Sequence, residues 1–153
     1  MKAAYAVLAL VLCGTLAGCA GSSPPSRADW GKDADRICAT LDDSVQALQR
    51  EAPNSTGELV SFADRLERVI DDGVRKLRGV QRPDGADGEK AKRWLDELQH
   101  HDDTVVKPAL AALKDAAQHK DTAAIQRAVQ RIQQADDSRV KALARAAGAR
   151  GCD

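Results

Sequence analysis

The sequence predicts an all-α protein, an antiparallel up-down four-helix bundle, and three observations point there. The composition is poor in strand formers: aromatic residues are 3% of the chain, and Ala, Leu, Gln, Arg, Glu and Asp dominate. Apolar residues recur three and four apart along four successive segments, which is the spacing of one helix face. Short stretches holding Gly, Pro, Asn or Asp separate those segments, and short connections set neighbouring helices antiparallel.

The first helix is expected to open at Ser26, with Asp29 three residues on as its capping-box partner. Trp30, Ala34, Ile37, Leu41, Val45 and Leu48 form its stripe, and Pro53 ends it. Ser55 and Glu58 make a second capping box, opening a helix with Leu59, Phe62, Leu66, Ile70, Gly73 and Leu77 on one face. Asp71 with Arg75 and Asp72 with Lys76 read as i,i+4 pairs on its solvated side. Gly79, Pro83, Gly85 and Gly88 mark the next turn. The third helix carries Ala91, Trp94, Leu95, Leu98, Val105, Ala109 and Leu113. Pro108 inside it removes the bond to the Thr104 carbonyl and predicts a kink. His119-Lys120 form a tight turn and Asp121 caps the fourth helix. That helix reads as continuous through Ile125, Val129, Ile132, Val140, Leu143 and Ala147 to a C-cap at Gly148. Val60 and Val106 fall off the main stripes, filling helix flanks or marking a dimer face.

The residues ahead of the bundle follow another logic. Lys2 is positive, Ala3 to Leu12 is almost wholly apolar, and the small residues Gly14, Ala17 and Gly18 follow, as in a cleavable secretory leader. The apolar run is shorter than the roughly 20 residues a bilayer-spanning helix requires. Leu16-Ala17-Gly18-Cys19 resembles the lipobox of bacterial lipoproteins. The resemblance implies lipid transfer to the Cys19 thiol and cleavage just before it; the alternatives are an ordinary signal peptide cut near Ala20 or a chance cysteine. Residues 1–18 are then a lipoprotein signal peptide, 19–26 a lipidated flexible tether, and 27–153 the bundle domain. Two or more acyl chains hold a protein stably to a bilayer where one does so marginally. A tether of this length reaches about 25 Å at roughly 3.4 Å per residue, so the bundle is expected close to the lipid. The expected setting is the extracytoplasmic face of a membrane: the cell membrane of a one-membrane bacterium, or the inner or outer membrane of a two-membrane one. The bilayer is the first partner, through Cys19.

Cys13 lies in the leader and Cys19 takes the lipid, which leaves Cys38 and Cys152. An exported protein with two cysteines left most often pairs them, with thiolate chemistry or metal binding as the alternative. The end of the fourth helix should lie beside the first half of the first, within reach of such a bond. Closing so long a loop contributes about 4–5 kcal/mol. The layout also resembles small exported helical proteins of actinobacteria, in Ile37-Cys38 and the closing Gly148-Ala149-Arg150-Gly151-Cys152. That resemblance implies a fold and a staple, and no activity.

Charge and motifs exclude several function classes. Lys and Arg number 23 against 23 Asp and Glu, so no strong field draws nucleic acid. Trp30, Phe62 and Trp94 are the aromatics left after the leader, which argues against base-stacking surfaces and large aromatic pockets. Gly-x-Ser-x-Gly, phosphate-loop, Gly-x-Gly-x-x-Gly and Cys-x-x-Cys-His motifs do not occur. Neither enzymatic activity nor a cofactor is expected. Asn54-Ser55-Thr56 matches a glycosylation acceptor, although Ser55 is read as a cap.

One irregularity remains. On a helical wheel Asp102 falls in the apolar face of the third helix, beside His101, and Asp136 does so on the fourth, with Arg139 one turn away. Counting from His119 sets both acids at one level, with Ser44 of the first helix near that height. The plain expectation is an ion-pair layer that fixes which helix faces which. The sharper one is a small-ligand or cation site, or a pH switch through His101. Arg139 opposes a cation, so no metal site is assigned. His100 and Asp103 point outward, and His119 is about 27 Å along the helix from His101, which excludes a shared three-histidine site. Arg75, Lys76, Arg78 and Arg82 near a bundle end meet anionic lipid or wall polymer, or simply neutralise a helix face. The expected function is a non-catalytic, membrane-anchored interaction module for an envelope protein or polymer. The rival is ligand, metal or proton sensing by the layer at His101, Asp102 and Asp136.

Overall fold

The computed structural model describes residues 23–51, 53–135 and 137–152. The signal peptide expected at 1–18, the lipidation expected at Cys19 and the layer residue Asp136 fall outside these residues. Among the described residues every regular element is helical: α1 (Arg27–Arg50), α2 (Thr56–Gly79), α3 (Gly85–His101), a π-helical turn (Asp102–Val106), α4 (Lys107–Gln118), α5 (Thr122–Gln133) and α6 (Ser138–Ala147). The chain runs from α3 through the π turn into α4, so the six helices make a bundle of four arms: α1, α2, α3–α4 and α5–α6. None of these helices is long and apolar enough to cross a membrane.

Side chains satisfy the helix starts as the local sequence dictates. Ser26 Oγ accepts from the Asp29 N–H at 3.2 Å, and Ser55 Oγ from the Glu58 N–H at 3.3 Å. The return bonds are shifted from the expected box. The Ser26 hydroxyl donates to Asp29, and Glu58 accepts from the Asn54 N–H rather than from Ser55. Asp121 Oδ1 accepts from the Ala124 N–H at 2.9 Å. Gly148 closes α6 at φ 107°, a left-handed conformation in which a Cβ is strained, and the Ala149 N–H reaches back to the Ala144 carbonyl.

The fourth arm corrects one expectation. Instead of a continuous helix, α5 stops at Gln133 and α6 begins at Ser138. Asp137 starts the second piece, its Oδ1 accepting from the Arg139 N–H at 2.8 Å and the Val140 N–H at 3.4 Å. Short polar side chains such as those of Asp137 and Ser138 compete for backbone bonds and favour caps over helix interiors.

The third arm corrects another. The disturbance expected at Pro108 takes the form of a wider turn just ahead of it, in which the Lys107 N–H bonds to the Asp102 carbonyl five residues back. A π turn inserts one residue into a helix and so advances the side-chain register by one. Val105, expected inside, is therefore exposed, while Val106, expected off the stripe, packs on the core.

The apolar interior has two parts. One gathers Trp30, Ala34, Cys38, Leu77, Trp94, Leu95, Ala144 and Ala147; the other gathers Ala63, Leu66, Leu110, Leu113 and Ala128. In the first part the indoles of Trp30 and Trp94 meet edge to face, centroids 5.8 Å apart. Small residues bring α1 against the end of α6 there: a Cβ on Gly31 would lie 2.3 Å from the Gly148 carbonyl oxygen. Cys38 and Cys152 are bonded beside this contact, with Cα atoms 5.3 Å apart.

Candidate functional site at mid-bundle

Between the two apolar parts each arm passes through one level. Leu98 packs on the first part and Val106 on the second, with Asp102 between them. Val140 and Ile132 flank the α5–α6 break in the same way, and Leu77 and Ile70 flank Asp71 to Val74. The π turn and the helix break, the two backbone irregularities of the long arms, thus share the level of the polar residues.

Asp102 is the one buried charged residue among those described, at 3% exposure. A π turn swings residue i+5 round over residue i, and here that residue is Lys107. Its Nζ lies 3.2 Å from Asp102 Oδ2, 3.0 Å from Asp71 Oδ1 and 2.8 Å from Asp103 Oδ1. One ammonium therefore serves three carboxylates. Its hydrogen bonds to Asp103 and Asp71 hold it above the ordinary lysine pKa. The ammonium is thus the partner of Asp102 Oδ2, while Asp102 Oδ1 has none among the described residues. Burial pushes the Asp102 carboxyl above the usual carboxylate pKa, with Lys107 pulling the other way. Exposed Asp103, bonded by Lys107 and Gln99, is held below it.

His101 joins the third arm to the break in the fourth. Its Nε2 lies 2.7 Å from the Ala135 carbonyl oxygen, which can only accept, so Nε2 carries the proton of that bond. Its Nδ1 is 3.4 Å from Asp137 Oδ2, the carboxylate whose other oxygen caps α6. Protonation at Nδ1 would complete a charged bond to that cap.

A cavity of about 260 Å³ lies beside Asp102, lined by Val74, Trp94, Leu98, Val106 and the Cys38–Cys152 bond as well as by His101 and Asp102. The Trp94 indole N–H is buried without a partner among the described residues. A second concavity, about 430 Å³, separates α1 from α2. Ile37, Leu41 and Val69 line it, with Arg36, Arg65, Arg68 and Lys76 against the single acid Asp72.

Of the residues expected in the layer, His101 and Asp102 are in it. Asp136 lies outside the described residues. Arg139 is not in the layer: the break rotates it outward, where it pairs with Glu97 at 3.2 Å and stays mostly exposed. Ser44 is also elsewhere, its hydroxyl donating to the Thr40 carbonyl on the α1–α2 side. The layer's other members are Lys107, Asp71 and Asp137. Asp137 carries a legible signal as an Asp directly before a helix-starting Ser. Lys107 has none, because a regular wheel never pairs residues five apart. The expected neutralisation of Arg75, Lys76 and Arg78 is present, through Asp72 and Asp96. Among the described residues no three His, Cys, Asp or Glu side chains group so as to hold a metal ion.

No protein family matches the chain, and neither does any curated protein or solved structure.

Proposed function

We propose that the protein is a lipid-anchored, extracytoplasmic interaction module of a bacterial envelope, non-catalytic, built as an up-and-down antiparallel bundle on a short leash. Residues 1–18 export it, the lipid on Cys19 holds it and residues 19–26 keep it within about 25 Å of the bilayer. Its partner is an anionic envelope component received between α1 and α2. The observation that carries this reading is the lining of that groove: Arg36, Arg65, Arg68 and Lys76 surround an apolar floor, and although Arg36, Arg65 and Lys76 pair with Asp33, Glu51 and Asp72, no ion pair among the described residues engages Arg68. Such a lining supplies contact area while the guanidinium groups recognise carboxylate or phosphate in a fixed geometry.

The test has two parts. Mass spectrometry of the membrane-extracted, unreduced protein should find lipid on Cys19 and the Cys38–Cys152 bond in one species. A photocrosslinker at Ser44 should then capture an anionic component in cells, and Arg68→Glu should abolish capture. An unmodified Cys19 on a released chain removes the anchor from the proposal, and capture indifferent to Arg68→Glu removes the groove.

A second reading, binding of a small ligand at mid-bundle, is favoured by one specific observation. The Asp102 carboxylate is buried beside a cavity with Lys107 as its one partner among the described residues, and buried carboxylates normally have more.

A further inference from the structure

We propose that the half of the bundle in which α1 begins docks on an anionic bilayer surface through its own surplus of basic side chains. This takes its setting from the anchored reading above and adds to it a membrane-facing surface of the bundle itself.

The observation is a partition of charge. The polar layer divides the described residues into two halves, one around each apolar core. Residues 23–41, 72–101 and 138–152 form the half in which α1 begins, and residues 42–51, 53–71, 102–135 and 137 form the other. The first half holds 14 Lys and Arg against 9 Asp and Glu, and the second 8 against 12. A chain whose charges sum to zero therefore carries +5 in one half and −4 in the other.

Distance keeps the two from cancelling. Helix α1 has 24 residues and passes both cores, about 36 Å at 1.5 Å per residue. The Debye length in physiological salt is about 8 Å, so a surface that touches one half is screened from the charge at the far end.

Local pairing does not consume the surplus. Lys32, Arg75, Lys76, Lys90 and Lys92 bond to acids of their own half. Arg82, Arg93 and Arg150 are exposed and enter no ion pair among the described residues. They stand on three segments: the α2–α3 turn, α3, and the tail behind α6. None of them lines the α1–α2 groove. In the other half, Lys107 and Lys114 are each shared by two or more acids, and Asp42 and Asp43 are exposed.

A bilayer is the occupant this placement selects. The chain enters α1 at Arg27, so the segment that precedes the helix leaves from the basic half. On a short leash to lipid, that half lies nearest the membrane and the acidic half points away. An anionic surface attracts the first and repels the second, which orients the bundle, and each basic side chain at such a surface strengthens binding about fivefold.

The test uses the mature chain, residues 19–153, with the disulfide intact and Cys19→Ser so that no acyl chain contributes. Co-sedimentation with phosphatidylcholine vesicles, and with vesicles of equal phosphatidylcholine and phosphatidylglycerol, reads the partition. Binding to the anionic vesicles should be at least about tenfold stronger in about 0.1 M salt, and should vanish at about 1 M, where the Debye length is about 3 Å. Arg82→Glu, Arg93→Glu and Arg150→Glu together should cost at least about tenfold. Lys120→Glu, Arg127→Glu and Arg131→Glu, the same charge change in the other half, should cost less than about threefold. In nanodiscs of the anionic mixture, a gadolinium-chelating lipid should broaden the amides of Arg82, Arg93 and Arg150 and spare those of Arg127 and Arg131. Retained helicity and the Cys38–Cys152 bond control for folding. Equal binding to neutral vesicles, equal losses in the two triple variants, or broadening at Arg127 and Arg131 overturns the proposal. So does polyphosphate that strips the protein from vesicles at equal anionic charge, which makes the surface a general polyanion site. Absence of binding to either vesicle overturns it too, and leaves the lipid on Cys19, read by mass spectrometry, to stand or fall separately.

Discussion

Reduction of the Cys38–Cys152 bond is the sharpest test of how the bundle is held. The bond joins residues 114 apart. Its loop-closure entropy, 2.1 + 1.5R ln n, corresponds to about 4.8 kcal/mol at 25 °C. A domain of this size has about 5–15 kcal/mol in total, so the reduced protein should stand near the edge of stability. With a urea slope of about 2 kcal/mol/M, the midpoint should fall by about 2.4 M on reduction. The loss should also be local at first. The bond ties α1 to the tail behind α6, and α6 has 10 residues, too few to persist alone. Urea melts followed by far-UV circular dichroism, with and without a phosphine reductant, give the midpoint shift, and amide exchange gives the order of opening. A shift under about 0.5 M, far below the entropic figure, refutes the reasoning. So does α5 losing protection before α6.

Other perturbations address the packing and the polar layer. Gly31→Ala drives a Cβ to 2.3 Å from the Gly148 carbonyl oxygen and should cost about 1–3 kcal/mol. Gly57→Ala, in a helix with nothing within 4 Å, should instead gain up to about 1 kcal/mol, and calorimetric melts rank the two. Asp137→Ala removes the acceptor of two N–H groups at the start of α6 and should cost about 1 kcal/mol, with amide protection falling in α6 and not in α5. Asp102 has a folded pKa above the unfolded value of 3.8, so the native state holds its proton more tightly. Its contribution to stability is present below pH 3.8 and lost as pH rises through the folded pKa. Asp102→Asn does not titrate there, so the variant's stability relative to wild type should increase with pH, by about 1–3 kcal/mol at pH 7. Identical pH profiles from urea melts of the two proteins would show that burial of Asp102 carries no penalty.

The helical class and the helix starts were legible because they rest on local signals. The stripe from Trp30 to Leu48 and the caps Ser26, Ser55 and Asp121 depend on spacing and on one side chain meeting a nearby N–H. The Cys38–Cys152 pair was legible from arithmetic. The layer was half legible: a wheel finds Asp102 in an apolar stripe without knowing what neutralises it. The rest was hidden by two register changes. An inserted residue in the π turn exchanges Val105 for Val106 and carries Lys107 over Asp102. The break at Gln134–Asp137 turns Arg139 away and presents Asp137 to His101 in its place. Both changes defeat a method that assumes one unbroken period. Asp71 keeps the solvated side that its spacing suggests, at 44% side-chain exposure, but it pairs across to Lys107 while Arg75 pairs with Asp72.

The coincidence of these irregularities at one level has a physical reading. A straight four-helix bundle has no need of a π turn and a helix break, and each forgoes regular backbone hydrogen bonding. Here they flank the same buried carboxylate, with a packed apolar core on either side. The cores and the disulfide hold the arms together, so the middle is free to depart from regular helix. A purely structural ion-pair layer would be expected to satisfy its buried member, because a half-satisfied polar group is worse than an apolar one. Asp102 is only partly satisfied: Lys107 is 3.2 Å from Oδ2, and Oδ1 has no partner among the described residues. The ammonium is shared with the outer acids Asp71 and Asp103, and Asp102 lines a cavity beside them. A buried acid with one partner, an adjoining space and two irregular backbone segments at one level are more than a register-fixing layer requires, which is an acid and its lysine.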